Sequence, residues 1–476
     1  MDVMLTYDRE ALDALDSSKI MTLVNKHIES QVPEFDKNLN YYLGKHEILE
    51  KKRAEENAPN SQPVCNHAKD ISDTASGYFL GNPISYKLIG EADKREQDAF
   101  DAFLEALDFA TTDDDDQENA LMLSICGKTY EYIYAAEDGA YLQEKPIDPQ
   151  NAFIVYDQAI DHKELFGVYY YIKKDDLSDD DTEWLYVLVM TETELKYYKI
   201  ENGTEDLVEP YLVEEHRLGY IPLIEYKNNR FAIGDFEQQI GLIDAYNVMT
   251  ADRINDKEQF IDAILVLYGA ALGDSESESD EAQKKLRDKK LLEMPEDARA
   301  EYLVRQLDES GMETLRKALK EDIYTFSHVP NLTDENFAGN SSGVAMEYKL
   351  LGLEMLTKIK ERWYRRGLRK RIKIFLHYLG LKGVQLDEGD IEPVFSRSLP
   401  KNLLEISQII SNLEGEVSSK TLLSLLPFVE DPDAELEALK MEQEENTVQA
   451  ANAFGQTNEE GASNEAPEEL TDGKDA

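Results

Sequence analysis

DFEQQIGLIDAYNVMTADRINDKEQFIDAILVL, residues 235–267, decides how the chain is read. Apolar side chains at Ile240, Ile243, Val248, Ile254, Phe260, Ile261, Ile264 and Leu265 recur at three- and four-residue spacings, as on a helix. Asp235 is a candidate N-cap and Gly269 a candidate stop. Ala263–Tyr268 is apolar and β-branched, so periodicity leaves helix and strand open there. Helical spacing returns in SGMETLRKALKEDIYTFSHV from Ser310, where Ser310 and Glu313 fit a capping box. Between the two lies an insert with an acidic GDSESESDEAQ, the lysine tract Lys284–Lys290 and a strand-like EYLVRQL, Glu301–Leu307. The expected picture is a helical stalk carrying a small tip.

A polar, glycine-flanked stretch follows, NLTDENFAGNSSG at 331–343, with one aromatic, Phe337. A loop of that length is functional or disordered. A helix then starts at Ser341 or Ser342 and runs to about Tyr378, about 54 Å at 1.5 Å per residue. Its middle is basic: Lys358, Lys360, Arg362, Arg365, Arg366, Arg369, Lys370, Arg371 and Lys373 against the acid Glu361. Pairing with acids of neighbouring subunits and direct phosphate contact both account for such a run. Trp363, Leu368, Ile372, Phe375 and Leu376 are expected to anchor its apolar side.

The chain around this centre has 476 residues and a net charge of −48, room for two to four domains. Such acidity argues against wrapping nucleic acid on the outer surface without excluding contact with DNA; it would suit a conduit past which DNA slides only where other evidence points to a conduit. Two cysteines, Cys65 and Cys126, make no disulfide framework. Met1–Glu10 has neither a basic start nor an apolar core, so no secretory signal is expected, and no apolar run is long enough for a membrane helix.

Before residue 235 the pattern is mixed. Helices are expected at Ser18–Gln31, Phe35–Arg53, Val64–Phe79, Glu96–Phe109 and Gln117–Cys126. A short strand is expected at Ile84–Leu88, and a largely antiparallel sheet from Thr129–Ala135, Ala152–Tyr156, Leu165–Ile172, Trp184–Met190, Glu194–Ile200 and Ile221–Tyr226. After the basic helix come a strand near Val384–Phe395 and helices at Asn402–Ser411 and Ser419–Leu426, with a further one over Asp433–Glu445. Residues 441–476, with ten acids and one lysine, have the composition of a disordered tail.

Catalytic motifs are weak. Cys126-Gly127-Lys128-Thr129 has Met122 where a phosphate loop needs glycine, and a strand follows instead of a helix. The aspartates at 113–116 and 179–181 lack EF-hand spacing and read as solvated loops. His27, His67, His162, His216 and His328 show no ligand spacing and read as structural or surface residues. No catalytic residue, cofactor or metal site is expected, and the chain reads as no enzyme.

Several segments together carry a family likeness: YYLGKHEI (41–48), AKDISDTASGYFLGNPISY (68–86), IPLIE (221–225), DFEQQIGLIDAYN (235–247), DIYTFSHVPNLTDENFAGNSSGVAMEYKLLGLE (322–354) and the basic helix. The layout resembles a tailed-phage portal protein of siphophages infecting Gram-positive bacteria. That resemblance implies an α+β portal fold, with wing over 1–234, stem helices over 235–268 and 310–328, clip over 269–309, tunnel loop over 329–343, a long basic helix returning to the wing over 344–399, helical crown over 400–440 and an acidic tail over 441–476. It implies a homo-oligomeric ring, usually of twelve subunits, at one capsid vertex of the virion, assembled in the host cytoplasm. Double-stranded DNA would pass through it in packaging and ejection. Terminase, a head–tail connector, scaffolding protein and the major capsid protein would be partners, and no membrane.

The implied tunnel-loop residues are Asn331, Thr333, Asp334, Glu335, Asn336, Phe337 and Asn340. Lys358, Arg362, Arg365, Arg366, Arg369, Lys370 and Lys373 are the candidate basic contacts. A DNA-processing enzyme and a non-portal capsid scaffold are the alternatives.

Overall fold

The computed structural model describes residues 4–52, 59–90, 92–136, 139–174, 183–201, 208–261, 264–268, 275, 277–281, 284, 298–303, 309–332, 343–397, 403–426, 429, 432, 434–436 and 438–441. The chain divides into two compact units, residues 1–338 with 348–398, and residues 339–347 with 399–476.

Local chemistry sets the first helices. Asp16 accepts from the Lys19 amide and opens α1, Ser17–Ser30. Pro33 lies in the first turn of α2, Val32–Tyr42, where its missing N–H costs nothing. That helix ends well before Arg53, because the chain turns through Gly44 at φ 79°. Asn66 caps α3, His67–Leu80. Asp93 and Glu96 form a reciprocal capping box on α4, Lys94–Ala110. Helix α5, Thr112–Cys126, takes Asp113, Asp114 and Asp115 into its first turn, which the helix dipole favours. The 113–116 cluster is therefore helical and not a solvated loop, and Asp116 is buried. The 179–181 cluster lies outside the described residues.

The expected period-two segments form two sheets. The larger has the order β1-β5-β6-β7-β8-β9, built from Leu5–Thr6, Ala152–Tyr156, Glu164–Lys174, Glu183–Met190, Glu194–Glu201 and Leu212–Glu215. Every pair is antiparallel except β1 with β5. Helix α1 covers one face, with Ile20, Leu23 and Val24 packed on Phe153, Val155, Phe166 and Val187. The smaller sheet, β10-β3-β4, joins Leu223–Lys227, Lys128–Ala135 and Leu142–Ile147. Strand β2, Ser85–Leu88, pairs with β13, Ile391–Val394. The result is a mixed α+β fold.

Helix α6 spans Ile240–Ile261 and α7 spans Glu309–Ser327. Arg253 holds Glu313 at 2.6 Å, and Arg316 donates to the Tyr246 hydroxyl at 2.8 Å, tying the two together. Ser310 and Glu313 make no capping box, because the helix already begins at Glu309 and Glu313 is taken by Arg316 and Arg253. Those two guanidiniums hold its carboxyl down at about 2. The open alternative at 263–268 resolves as strand: β11, Ile264–Tyr268, pairs antiparallel with β12, Arg299–Leu303. Asp235 caps no helix, since α6 begins later, after a 3-10 turn. In the second unit, α9 spans Leu403–Leu413 and α10 spans Ser419–Leu423, opened by Ser418.

Helix α8, Gly343–Leu381, has 39 residues, roughly 58 Å at the usual rise. Leu353, Thr357, Lys360, Tyr364, Leu368, Arg371 and Phe375 follow one another at three- and four-residue steps and are all buried. Two cations thus sit on the inward stripe. Lys360 pairs with Asp235, which also accepts from Asn228 at 2.9 Å. Arg371 grips Asp116 through two bonds of 3.0 and 2.7 Å, reaches Glu131 through Nε at 3.1 Å and lies 3.2 Å from Glu144. Tyr364 donates to Asp116 and Tyr226 to Glu131. Gly367 lets the Tyr226 ring close on the helix, since a Cβ there would lie 2.4 Å from it.

Three carboxyls surround one guanidinium, so the cluster favours holding a proton. Glu144 is the one of the three whose carboxyl oxygens have no hydrogen-bond partner. Burial raises that carboxyl well above its ordinary 4.5, and Glu131 and Asp116 add to the rise against the pull of Arg371.

Replacing Arg371 by alanine leaves Asp116 and Glu131 buried without a cation, and should cost about 3–5 kcal/mol in a denaturant titration. Arg371→Lys should not restore the loss, because one ammonium cannot serve the carboxyls in a fixed fork. The Glu144 proton gives a second test. The folded chain keeps it above pH 4.5 while the unfolded chain releases it, so wild-type stability falls as pH rises from there. Glu144→Gln removes that slope, and the variant should gain on wild type in melting temperature as pH rises above 4.5. A constant difference across that range would contradict the assignment.

Candidate functional site

The basic run of α8 is sorted by helical rotation. Successive residues turn by about 100°, so nine neighbouring cations face every direction. Lys360 and Arg371 point inward. Lys370 pairs with Glu164 and donates to the Leu223 carbonyl at 2.8 Å. Lys358 meets Glu354 at 3.4 Å, Arg365 meets Glu361 at 3.1 Å, and Lys373 meets Glu388 at 3.0 Å. Arg397 bridges Glu354 and Glu361 at 2.9 and 2.8 Å, and holds Glu354 below its usual range against the effect of burial.

Arg362, Arg366 and Arg369 remain. All three are exposed, and among the described residues none has a carboxylate partner. Arg366 lies over the Trp363 ring, 3.9 Å from its centroid. Of the seven candidate basic contacts, Lys358, Arg365, Lys370 and Lys373 are thus held by acids of the same chain. These four pair within the chain: Glu354 and Glu361 sit one turn before their cations, and Glu164 and Glu388 pack alongside.

The three free arginines form a ridge between two open clefts of about 410 Å³ each. Arg366 and Trp363 line one, with Arg230, Lys227, Glu225 and Glu164 opposite. Arg369 lines the other, with Ile89, Ile372, Glu388 and Pro393.

Of the expected tunnel-loop residues, Asn331 is described, at the end of the segment after α7. Thr333, Asp334, Glu335, Asn336, Phe337 and Asn340 lie outside the described residues.

The Cys126–Thr129 segment joins α5 to β3 through Gly127 at φ 79°, where a Cβ would meet the Ala232 carbonyl at 2.2 Å. Lys128 is buried and donates to Gln31 at 2.6 Å, and Thr129 donates to Asn119 at 3.1 Å. These are packing roles. His27 meets the Tyr170 hydroxyl at 2.8 Å, and burial lowers its imidazole to about 3. His67 meets Tyr324 at 3.2 Å, and burial likewise lowers it, to about 4. Neither sits in a cluster of three or more potential metal ligands among the described residues.

Sequence reasoning missed Asp116, Glu131, Glu144 and Asp235 as partners of the helix. A signal was present in the helix itself: Lys360 and Arg371 occupy the same stripe as Tyr364, Leu368 and Phe375, where a cation needs a buried acid.

Comparison with known proteins bears on most of the chain. It is 24% identical over 457 residues to the portal protein of Bacillus phage SPP1, covering 88% of this chain and 86% of that protein. It is 25% identical over 323 residues to the portal protein of Clostridium phage phiCD119, covering 64% of this chain and 67% of that protein. Among solved structures it is similar to a chain of the neck of the native GTA particle computed with C12 symmetry, at 8% identity and a TM-score of 0.46, covering 76% of this chain and 89% of that one. The model of the family "Phage portal protein, SPP1 Gp6-like" matches residues 23–449, and the chain belongs to that family.

Proposed function

We propose that this chain is the portal subunit of a siphophage infecting a Gram-positive host. It assembles as a ring, of twelve copies in the virion, at one capsid vertex, and conducts double-stranded DNA during packaging and ejection. The observation that carries the reading is the family match over residues 23–449. The regions follow the sequence layout: the α+β part up to residue 234 is the wing, α6 and α7 the stem, and 269–309 the clip. Residues 329–343 form the tunnel loop, α8 leads back to the wing, and 400–440 form the crown. The clip docks terminase and later the head–tail connector, and scaffolding and major capsid proteins surround the ring.

The subunit is a conduit and not an enzyme. Energy for translocation comes from a partner motor, and the channel holds DNA weakly. The net charge of −48 supports this, because an acidic wall offers the phosphate backbone no resting place. The cations of α8 that pair within the chain are already neutralised, which supports the same conclusion.

The tunnel loop gives the test. Deleting residues 333–341 should leave assembly of the subunit unchanged and abolish DNA-filled heads in a packaging assay. Normal packaging by the deletion variant would remove the loop from the mechanism. Failure of assembly would show that the segment is structural.

A further inference from the structure

We propose that the outward face of α8 is the seat for a second copy of this chain, and that it receives the acidic row on α4 of that copy. The proposal rests on the ring reading above and assigns the contact within it.

The outward face lies roughly opposite the buried stripe, about 160–200° around the helix axis. It reads Tyr348, Leu351, Met355, Ile359, Arg362, Arg366 and Arg369, at steps of three and four. The first four are 76%, 51%, 62% and 49% exposed, an unusual amount of apolar surface for a single helix. The last three are the arginines without a carboxylate. An apolar stripe running into arginines, beside the half-buried Trp363, has the composition of a protein interface rather than of a solvated face. The clefts on either side leave the ridge accessible to a partner element.

Charge selects the partner. Arg362, Arg366 and Arg369 are like charges one turn apart, an unfavourable arrangement unless something opposes it. Helix α4 carries the converse: Asp98, Asp101, Glu105 and Asp108 follow at steps of three and four, all exposed, with exposed Leu104 and Phe109 beside them. Asp101 accepts from Gln97 and Glu105 from Tyr141, but among the described residues none of the four meets a cation. Both rows belong to one chain, and each supplies what the other lacks. A contact between two different faces of the same chain is head-to-tail, the kind that closes into a ring.

Native mass measurement of full-length protein tests this by exchange of charge. One variant carries Arg362→Glu, Arg366→Glu and Arg369→Glu, and the other carries Asp98→Lys, Asp101→Lys, Glu105→Lys and Asp108→Lys. Each alone should lose multimer by about tenfold or more at a concentration where wild type assembles, because like charges then face one another. An equal mixture should regain multimers containing both variants in alternation. Circular dichroism of each variant establishes that it is folded.

Wild-type assembly by either folded variant alone overturns the proposal. So does a mixture that stays dissociated. If the arginine variant assembles normally but no longer retains DNA, nucleic acid and not a second copy occupies the ridge. If it assembles normally and truncating the wild-type chain after residue 441 exposes its arginine ridge to a basic-site probe such as heparin, the chain's own acidic tail is the occupant. Wild type that stays monomeric under every assembly condition overturns the ring reading itself, an outcome separable from the others.

Discussion

The position of α8 depends on charges buried beneath it. Arg371 sits among Asp116, Glu131 and Glu144, and Lys360 on Asp235, so four acids from α5, β3, β4 and the approach to α6 meet two cations of one helix. Apolar contacts from Leu368, Ile372 and Phe375 drive the helix into the core without specifying its rotation closely. The ion pairs do specify it. A rotation by one residue would carry Arg371 away from three carboxyls and leave them buried and uncompensated, at a cost several times that of a poor apolar fit. Net stabilisation from such pairs over an apolar replacement is small, so their contribution is to fix a single arrangement.

That arrangement settles what the outside of the helix presents. With Lys360 and Arg371 inward, and Lys358, Arg365, Lys370 and Lys373 bound laterally, only three arginines of the basic run face solvent unpaired among the described residues. A run that reads as a dense cationic patch is mostly paired with acids of the same chain. Among the residues of α8, the cations left without an acid thus form one short ridge. For a molecule that must let DNA pass, neutralising cations by acids of the same chain serves much the same end as omitting them.

Much of this architecture was legible. The 3.6-residue pattern marked α6 and α7, and alternation marked most of the large sheet, because burial of one face imposes each period directly on the sequence. Ala263–Tyr268 was ambiguous for a physical reason: its pairing partner, β12, lies some thirty residues away and carries the deciding information. Strands β1, β4 and β9 were missed. The first has two residues, β4 contains Pro146 within LQEKPI, and β9 is the fully exposed edge LVEE, so none carries an apolar alternation. Aspartates 113–116 looked solvated because an acid's partner is invisible when it lies 255 residues along the chain, as Arg371 does from Asp116. Similarly long separations from Arg371 hid the burial of Glu131 and Glu144. The basic helix was found, but its sorting into inward, lateral and outward faces needed the acids that pack against it.

The central claim is that α6 and α7 are the wall of a closed, hollow assembly of this chain. Electron-microscopic imaging of the purified full-length protein down its symmetry axis tests it most directly. The account predicts a ring with a central opening, bounded by one α6–α7 pair from each subunit. A solitary globule with those two helices enclosed in its interior, and no shared opening, would contradict it.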